Sequence, residues 1–135
     1  MSDNELEKIR QKKAAMFLKI QNMPSGIITI KNEQDLAKLK TDFSDKIIII
    51  DFWAVWCSPC KIFAPVFQKL QQEYNKDFIF AKINVDENPL IAQSFGIASI
   101  PTTIFLKAGQ LLRKFVGVMN YTNLKQVLEH FKLNV

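Results

Sequence analysis

The run Lys46-Ile47-Ile48-Ile49-Ile50-Asp51-Phe52-Trp53-Ala54-Val55-Trp56-Cys57-Ser58-Pro59-Cys60-Lys61 carries two signals in series. Residues 46–53 are apolar and β-branched, the pattern of a strand buried on both faces. Beyond them Ile62, Phe63, Val66, Phe67 and Leu70 recur at helical spacing, with Lys61, Gln68, Lys69, Gln71 and Gln72 between. Both cysteines of the chain sit where strand turns into helix. A helix N-terminus has free backbone amides and the positive end of the helix dipole, so it favours an anion. A thiolate is such an anion, and a cysteine placed there has a lowered pKa.

Three readings of the Cys57/Cys60 pair compete. A structural disulfide would close a very short loop and constrain the unfolded chain only weakly. A zinc or iron–sulfur site needs about four ligands, and beyond two thiols the chain offers only the distant His130. Two chains would have to share such a site. A redox dithiol needs nothing further, and a C-x-x-C beside a βαβ pattern reads that way.

Outward from this core the elements alternate. Residues of about 3–21 form an amphipathic pattern, with Leu6, Ile9, Met16, Phe17 and Ile20 near one face and Ser2–Glu5 spaced for a capping box. Packing of that face on the rest of the chain is expected, because an exposed apolar stripe is unfavourable. Met23-Pro24-Ser25-Gly26 breaks the helix. Ile27–Ile30 is a short strand, and Asn32 caps a helix through Leu36 and Leu39. Phe78–Ile83 reads as a strand, Leu90–Phe95 as a short helix, Thr102–Lys107 and Leu111–Val116 as a hairpin around Ala108-Gly109, and Tyr121–Phe131 as a closing helix. Residues 1–26 are thus a helical extension and linker, and 27–135 one α/β domain with a mixed central sheet and helices on both faces.

Composition narrows the function classes. At 135 residues with 48% hydrophobic and 23% charged residues, the chain is one globular domain. The net charge is +5, of which residues 1–26 carry +2 (five Lys/Arg against three Asp/Glu). No basic block or aromatic-basic stripe points to nucleic acid. No stretch approaches the ~20 apolar residues of a membrane span, and Ala14 to Leu18 is too short for a signal-peptide core. With no cysteine outside the motif there is no secreted-type disulfide framework. The cytoplasm is the expected location.

Asp51 through Lys61 resembles the active-site string of the thioredoxin family. Further matches follow in order: Ala81-Lys82-Ile83-Asn84-Val85-Asp86-Glu87-Asn88-Pro89, Phe95-Gly96-Ile97-Ala98-Ser99-Ile100-Pro101-Thr102, Phe105-Leu106-Lys107-Ala108-Gly109-Gln110 and Val116-Gly117. The resemblance runs from Ile27 to the C-terminus. It implies the thioredoxin fold and a protein dithiol–disulfide oxidoreductase whose electrons travel on Cys57 and Cys60, with no cofactor and no metal. Disulfide-containing client proteins and a thioredoxin reductase are the implied partners, and the chain is expected to act as a monomer.

The site residues follow one by one. Cys57, nearer the turn, is expected to be the exposed thiol that attacks a client disulfide, and Cys60, one helical turn inward, the thiol that resolves the mixed disulfide. Asp51, a carboxylate among isoleucines and aromatics, is either a strand-end acid bonded to nearby backbone or a buried base with a raised pKa. The resemblance favours the base, serving Cys60, and places Lys82 beside it. It also implies a cis Ile100–Pro101 bond against the dithiol and a shallow docking patch of Trp56, Pro59, Val85, Ile100, Gly117 and Val118.

Two positions depart from the common pattern: Ser58 stands where glycine is usual between the cysteines, and Val55 where an acid is common. Ser99 also replaces a glycine, which would narrow the docking groove. Residues between the cysteines tune the potential, and a Ser58 hydroxyl bonded to the Cys57 thiolate would weaken the reductant slightly. An isomerase or oxidant, and a non-catalytic binding module on the same fold, are the alternatives.

Overall fold

The computed structural model describes residues 2–21 and 23–134, and the side chains of 2–15 and 23–133. Ten elements run in the order α1 (Asp3–Gln21), β1 (Ile28–Ile30), α2 (Glu33–Asp42), β2 (Ile48–Trp53), α3 (Ser58–Tyr74), β3 (Ile79–Asn84), α4 (Pro89–Ser94), β4 (Thr102–Lys107), β5 (Gln110–Val116) and α5 (Tyr121–Asn134). The sheet order is β1-β3-β2-β4-β5. β3 runs parallel to both β1 and β2, and β4 is antiparallel to β2 and β5, so the sheet is mixed as expected.

Strand alternation sorts β2 between two cores. Ile48, Ile50 and Phe52 pack with Leu36 and Leu39 of α2 and Ile91 and Ala92 of α4. Ile49, with Ile47 just before the strand, packs with Phe63, Phe67 and Leu70 of α3 and Leu124 and Leu128 of α5. Helices therefore cover both faces of the sheet. Asp51 has the parity of Ile49, so the strand period itself turns this acid toward α3 and the dithiol.

Local signals terminate the elements where the residues demand it. The Asn32 side chain accepts the Asp35 amide at 2.8 Å and starts α2. Ala108 and Gly109 have φ of 51° and 77°, the left-handed pair that a tight hairpin between β4 and β5 requires.

α1 forms over the expected residues, and Ser2 Oγ accepts the Glu5 amide at 3.2 Å. Its expected packing is not met at Leu6 and Ile9, which are 39% and 36% exposed. The side chains of Met16, Phe17 and Ile20 lie outside the described residues. On this face Lys13 falls between Ile9 and Met16, so the apolar stripe is interrupted and offers little area to bury. Deleting residues 1–21 should accordingly shift the melting temperature by less than about 2 °C. Reduction of a generic protein disulfide should stay within about threefold. Calorimetry of the truncated chain checks this, and a fall of more than about 5 °C would mean that α1 braces the domain.

Candidate active site

The dithiol is made by the end of β2 and the start of α3. β2 delivers the chain to Ala54, the turn is closed by the Cys57 amide donating to the Ala54 carbonyl at 3.2 Å, and Cys57 becomes the N-cap of α3. Pro59 stands in the first turn, where its missing N–H costs nothing. Cys57 and Cys60 are joined as a disulfide with their Cα atoms 5.3 Å apart.

The expectation that Cys57 is the exposed thiol is corrected. In the disulfide form Cys57 is 3% exposed and Cys60 4%. Both are covered, because Ala54 and the half-buried Trp53, Val85 and Ile100 pack over them. What separates the two sulfurs is position on the helix. Cys57 Sγ accepts the Cys60 backbone amide at 3.2 Å, at the positive end of the α3 dipole. In the disulfide form the donor at Cys57 Sγ is thus the Cys60 amide.

Asp51 is 5% exposed and pairs in register with Lys82 on β3 and Thr103 on β4. Desolvation by burial pushes its carboxyl up from 3.8 to about 7, and the Lys82 charge opposes part of that rise. It lines a cavity of about 230 Å³ together with Trp53, Ala54, Val55, Cys60, Lys61, Ala64 and Lys82. The acid, the lysine and the inner cysteine thus share one chamber. Lys82 Nζ lies 5.4 Å from the Trp53 ring centre, held over its face. Val55, in place of the common acid, leaves Lys61 and Lys82 as the charges that line the chamber with Asp51.

On the other side of the disulfide, Trp56, Val85, Ile97, Ala98, Ser99 and Ile100 line a groove of about 410 Å³. Trp56 is 69% exposed, and its indole N–H is anchored on Asp86 Oδ2 at 2.8 Å. The Ile100–Pro101 peptide is cis, and the Ile100 carbonyl oxygen lies 3.8 Å from Cys57 Sγ. Gly117, with φ of 95°, donates its amide to the Pro101 carbonyl at 2.8 Å. Pro59 is exposed on α3, and Val118 is exposed beyond Gly117; neither lines the groove itself. Ile97 and Ala98 line the groove but are not among the residues expected to form the docking patch. The signal for these two was their place between α4 and Pro101, a segment with no helical or strand period of its own.

Two features of this segment hold it in place. Lys114 Nζ donates to the Gly96 and Phe95 carbonyls at 2.7 and 3.3 Å, beyond the C-terminus of α4. Thr102 Oγ1 donates to the Ser99 carbonyl at 2.6 Å.

A protein-family model described as Thioredoxin matches residues 33–130. A thioredoxin of Chlorobaculum thiosulfatiphilum is 44% identical over 88 residues, which cover 64% of this chain and 82% of that protein. Among solved structures, a thioredoxin of Malassezia sympodialis superposes with a TM-score of 0.73 at 33% identity, over 81% of this chain and 93% of that one. A reduced thioredoxin pre-protein of Schistosoma mansoni gives 0.72 at 34% identity, over 79% and 99%. The family match at residues 33–130 spans the dithiol, the buried acid and the cis-proline groove alike, and the chain belongs to the thioredoxin family of protein dithiol–disulfide oxidoreductases, acting as a protein-disulfide reductase.

Proposed function

We propose that the chain works as a monomer in the cytosol, reducing client proteins by a two-thiol cycle with Cys57 as attacking and Cys60 as resolving group. The observation that carries the assignment is the Cys60 amide directed at Cys57 Sγ on the N-terminus of α3. It favours the thiolate at Cys57 over Cys60. The Cys57 thiolate attacks one client sulfur, the client S–S bond breaks, and its electron pair leaves on the other client sulfur. Cys60 then loses its proton to Asp51 and attacks Cys57 Sγ, expelling as thiolate the client sulfur that Cys57 had captured and forming the Cys57–Cys60 disulfide. A thioredoxin reductase supplies two electrons to reopen it.

In this reading the client lies extended along the Trp56–Ile100 groove, its backbone paired with Ile100 and its sulfur above Cys57. Lys82 moderates the cost of charging Asp51, and Gly117 and Val118 extend the docking rim. The appended residues 1–26 stand outside this chemistry.

The experiment that tests the direction of electron flow is the reduction potential of the couple, equilibrated against glutathione. We expect it within roughly 40 mV of about −270 mV, the thioredoxin value. A potential near −180 mV or above would place the chain with isomerases and oxidants instead.

A further inference from the structure

Among the described residues, three buried side-chain atoms have no hydrogen-bond partner in the protein: Asp51 Oδ1, Trp53 Nε1 and Thr103 Oγ1. All three belong to one corner of the sheet. Asp51 and Trp53 are two apart on β2 and so share a face. Thr103 is the direct cross-strand neighbour of Asp51 on β4, which puts both side chains on that same face.

Thr103 is fully buried, at 0% exposure. An unsatisfied buried hydroxyl is costly, and valine would fill the same space without that cost. Its same-parity neighbours along the chain are Pro101, just before β4, and Phe105, and its partner on β5 is Phe115, none of which can accept or donate through a side chain. The groups the hydroxyl can serve are therefore on β2. An acceptor (Asp51 Oδ1), a donor (Trp53 N–H) and a group that is both (Thr103 O–H) meet the needs of one water, which takes two to four polar partners. Asp51 and Trp53 also wall the cavity of about 230 Å³ beside Cys60, which gives room for a water at two of the three groups; Thr103 does not line that cavity and meets Asp51 through the strand pairing.

We propose that Thr103 is a positioning residue for Asp51: with the Trp53 indole it holds one buried water against Oδ1, and that water steadies the carboxylate form. The water donates to Oδ1, and the threonine hydroxyl and indole N–H hold it in place. The inference rests on Asp51 serving Cys60 as proton acceptor. The other titratable groups around Asp51 are Lys82 on β3 and Cys60 and Lys61 on α3, while β4 brings only the threonine.

The test is the ionisation of Asp51 followed directly by its carboxyl carbon resonance in wild type, Thr103→Val and Thr103→Ser. Losing a bond to the charged form should raise the midpoint by about one pH unit in Thr103→Val. Thr103→Ser, which keeps the hydroxyl, should return it to within about 0.3 unit of wild type. An unchanged or lowered midpoint in Thr103→Val overturns the proposal, as does a serine variant that behaves like valine. The pH profile of mixed-disulfide resolution, measured on the same proteins, separates the two ideas. A midpoint that moves while the profile stays fixed would uphold the role of Thr103 and remove Asp51 from the proton transfer.

Discussion

A Cys60→Ser protein should accumulate client proteins on Cys57 as mixed disulfides, while Cys57→Ser should trap none and lose at least about 10³-fold in disulfide reduction, the scale on which removing a nucleophile is felt. Burial does not distinguish the two sulfurs, at 3% and 4% exposure. Electrostatics does. Cys57 Sγ caps α3 and accepts the Cys60 amide, so its thiolate is stabilised by a hydrogen bond and by the helix dipole together. Cys60, one turn inside the helix, opens into the chamber of Asp51 and away from the client groove. With Cys60 replaced by serine, the first exchange proceeds and the second cannot. Mass spectrometry of the trapped complexes decides the case: client sulfur attached to Cys60 in the Cys57→Ser protein, with nothing on the reverse variant, would exchange the assigned roles.

Much of this site is written in short-range pattern. The isoleucine run marked β2 as buried on both faces, whereas the face on which Asp51 lies follows from the packing of its same-parity neighbour Ile49 against α3. The helical spacing of Ile62 to Leu70 put a helix N-terminus at Cys57, and Ala108-Gly109 marked the hairpin. The long-range part was legible only through family resemblance: the approach of the Ile100 carbonyl to Cys57, and the register that sets Lys82 beside Asp51. Neither spacing nor composition encodes which strands become neighbours. Exposure of Cys57 was misjudged for the same reason, since Val85 and Ile100, which cover it, come from loops distant in sequence. Thr103 escaped notice because a threonine in a β-branched run looks like any strand residue until its cross-strand partner proves to be a buried acid. The α1 stripe was read from its apolar members, without weighing Lys13 on the same face.

Replacing Asp51 with alanine should stabilise the folded protein by on the order of 3 kcal/mol at pH 8 and by little at pH 4. The sign follows from the two pKa values. Unfolded, the carboxyl titrates near its ordinary 3.8; folded in the disulfide form, burial raises it to about 7. Between those values the folded state keeps a proton that the unfolded chain has lost. Wild-type stability from this group is therefore greatest below the lower value and declines as pH rises through the upper one. Above it the folded chain carries a desolvated charge whose cost Lys82 opposes only in part. Alanine removes both the charge and the slope, at the expense of a small cavity that lowers the gain. Denaturant unfolding of the oxidised proteins across this range measures the difference. The same substitution should slow release of the mixed disulfide by up to about 10²-fold near neutral pH, where a base is lost. Near pH 5 the two proteins should release at similar rates, because the wild-type acid is then protonated and can accept nothing. A variant less stable than wild type at pH 8 would deny that Asp51 is a desolvated charge. One that keeps full turnover at neutral pH would show that Cys60 gives its proton to another acceptor.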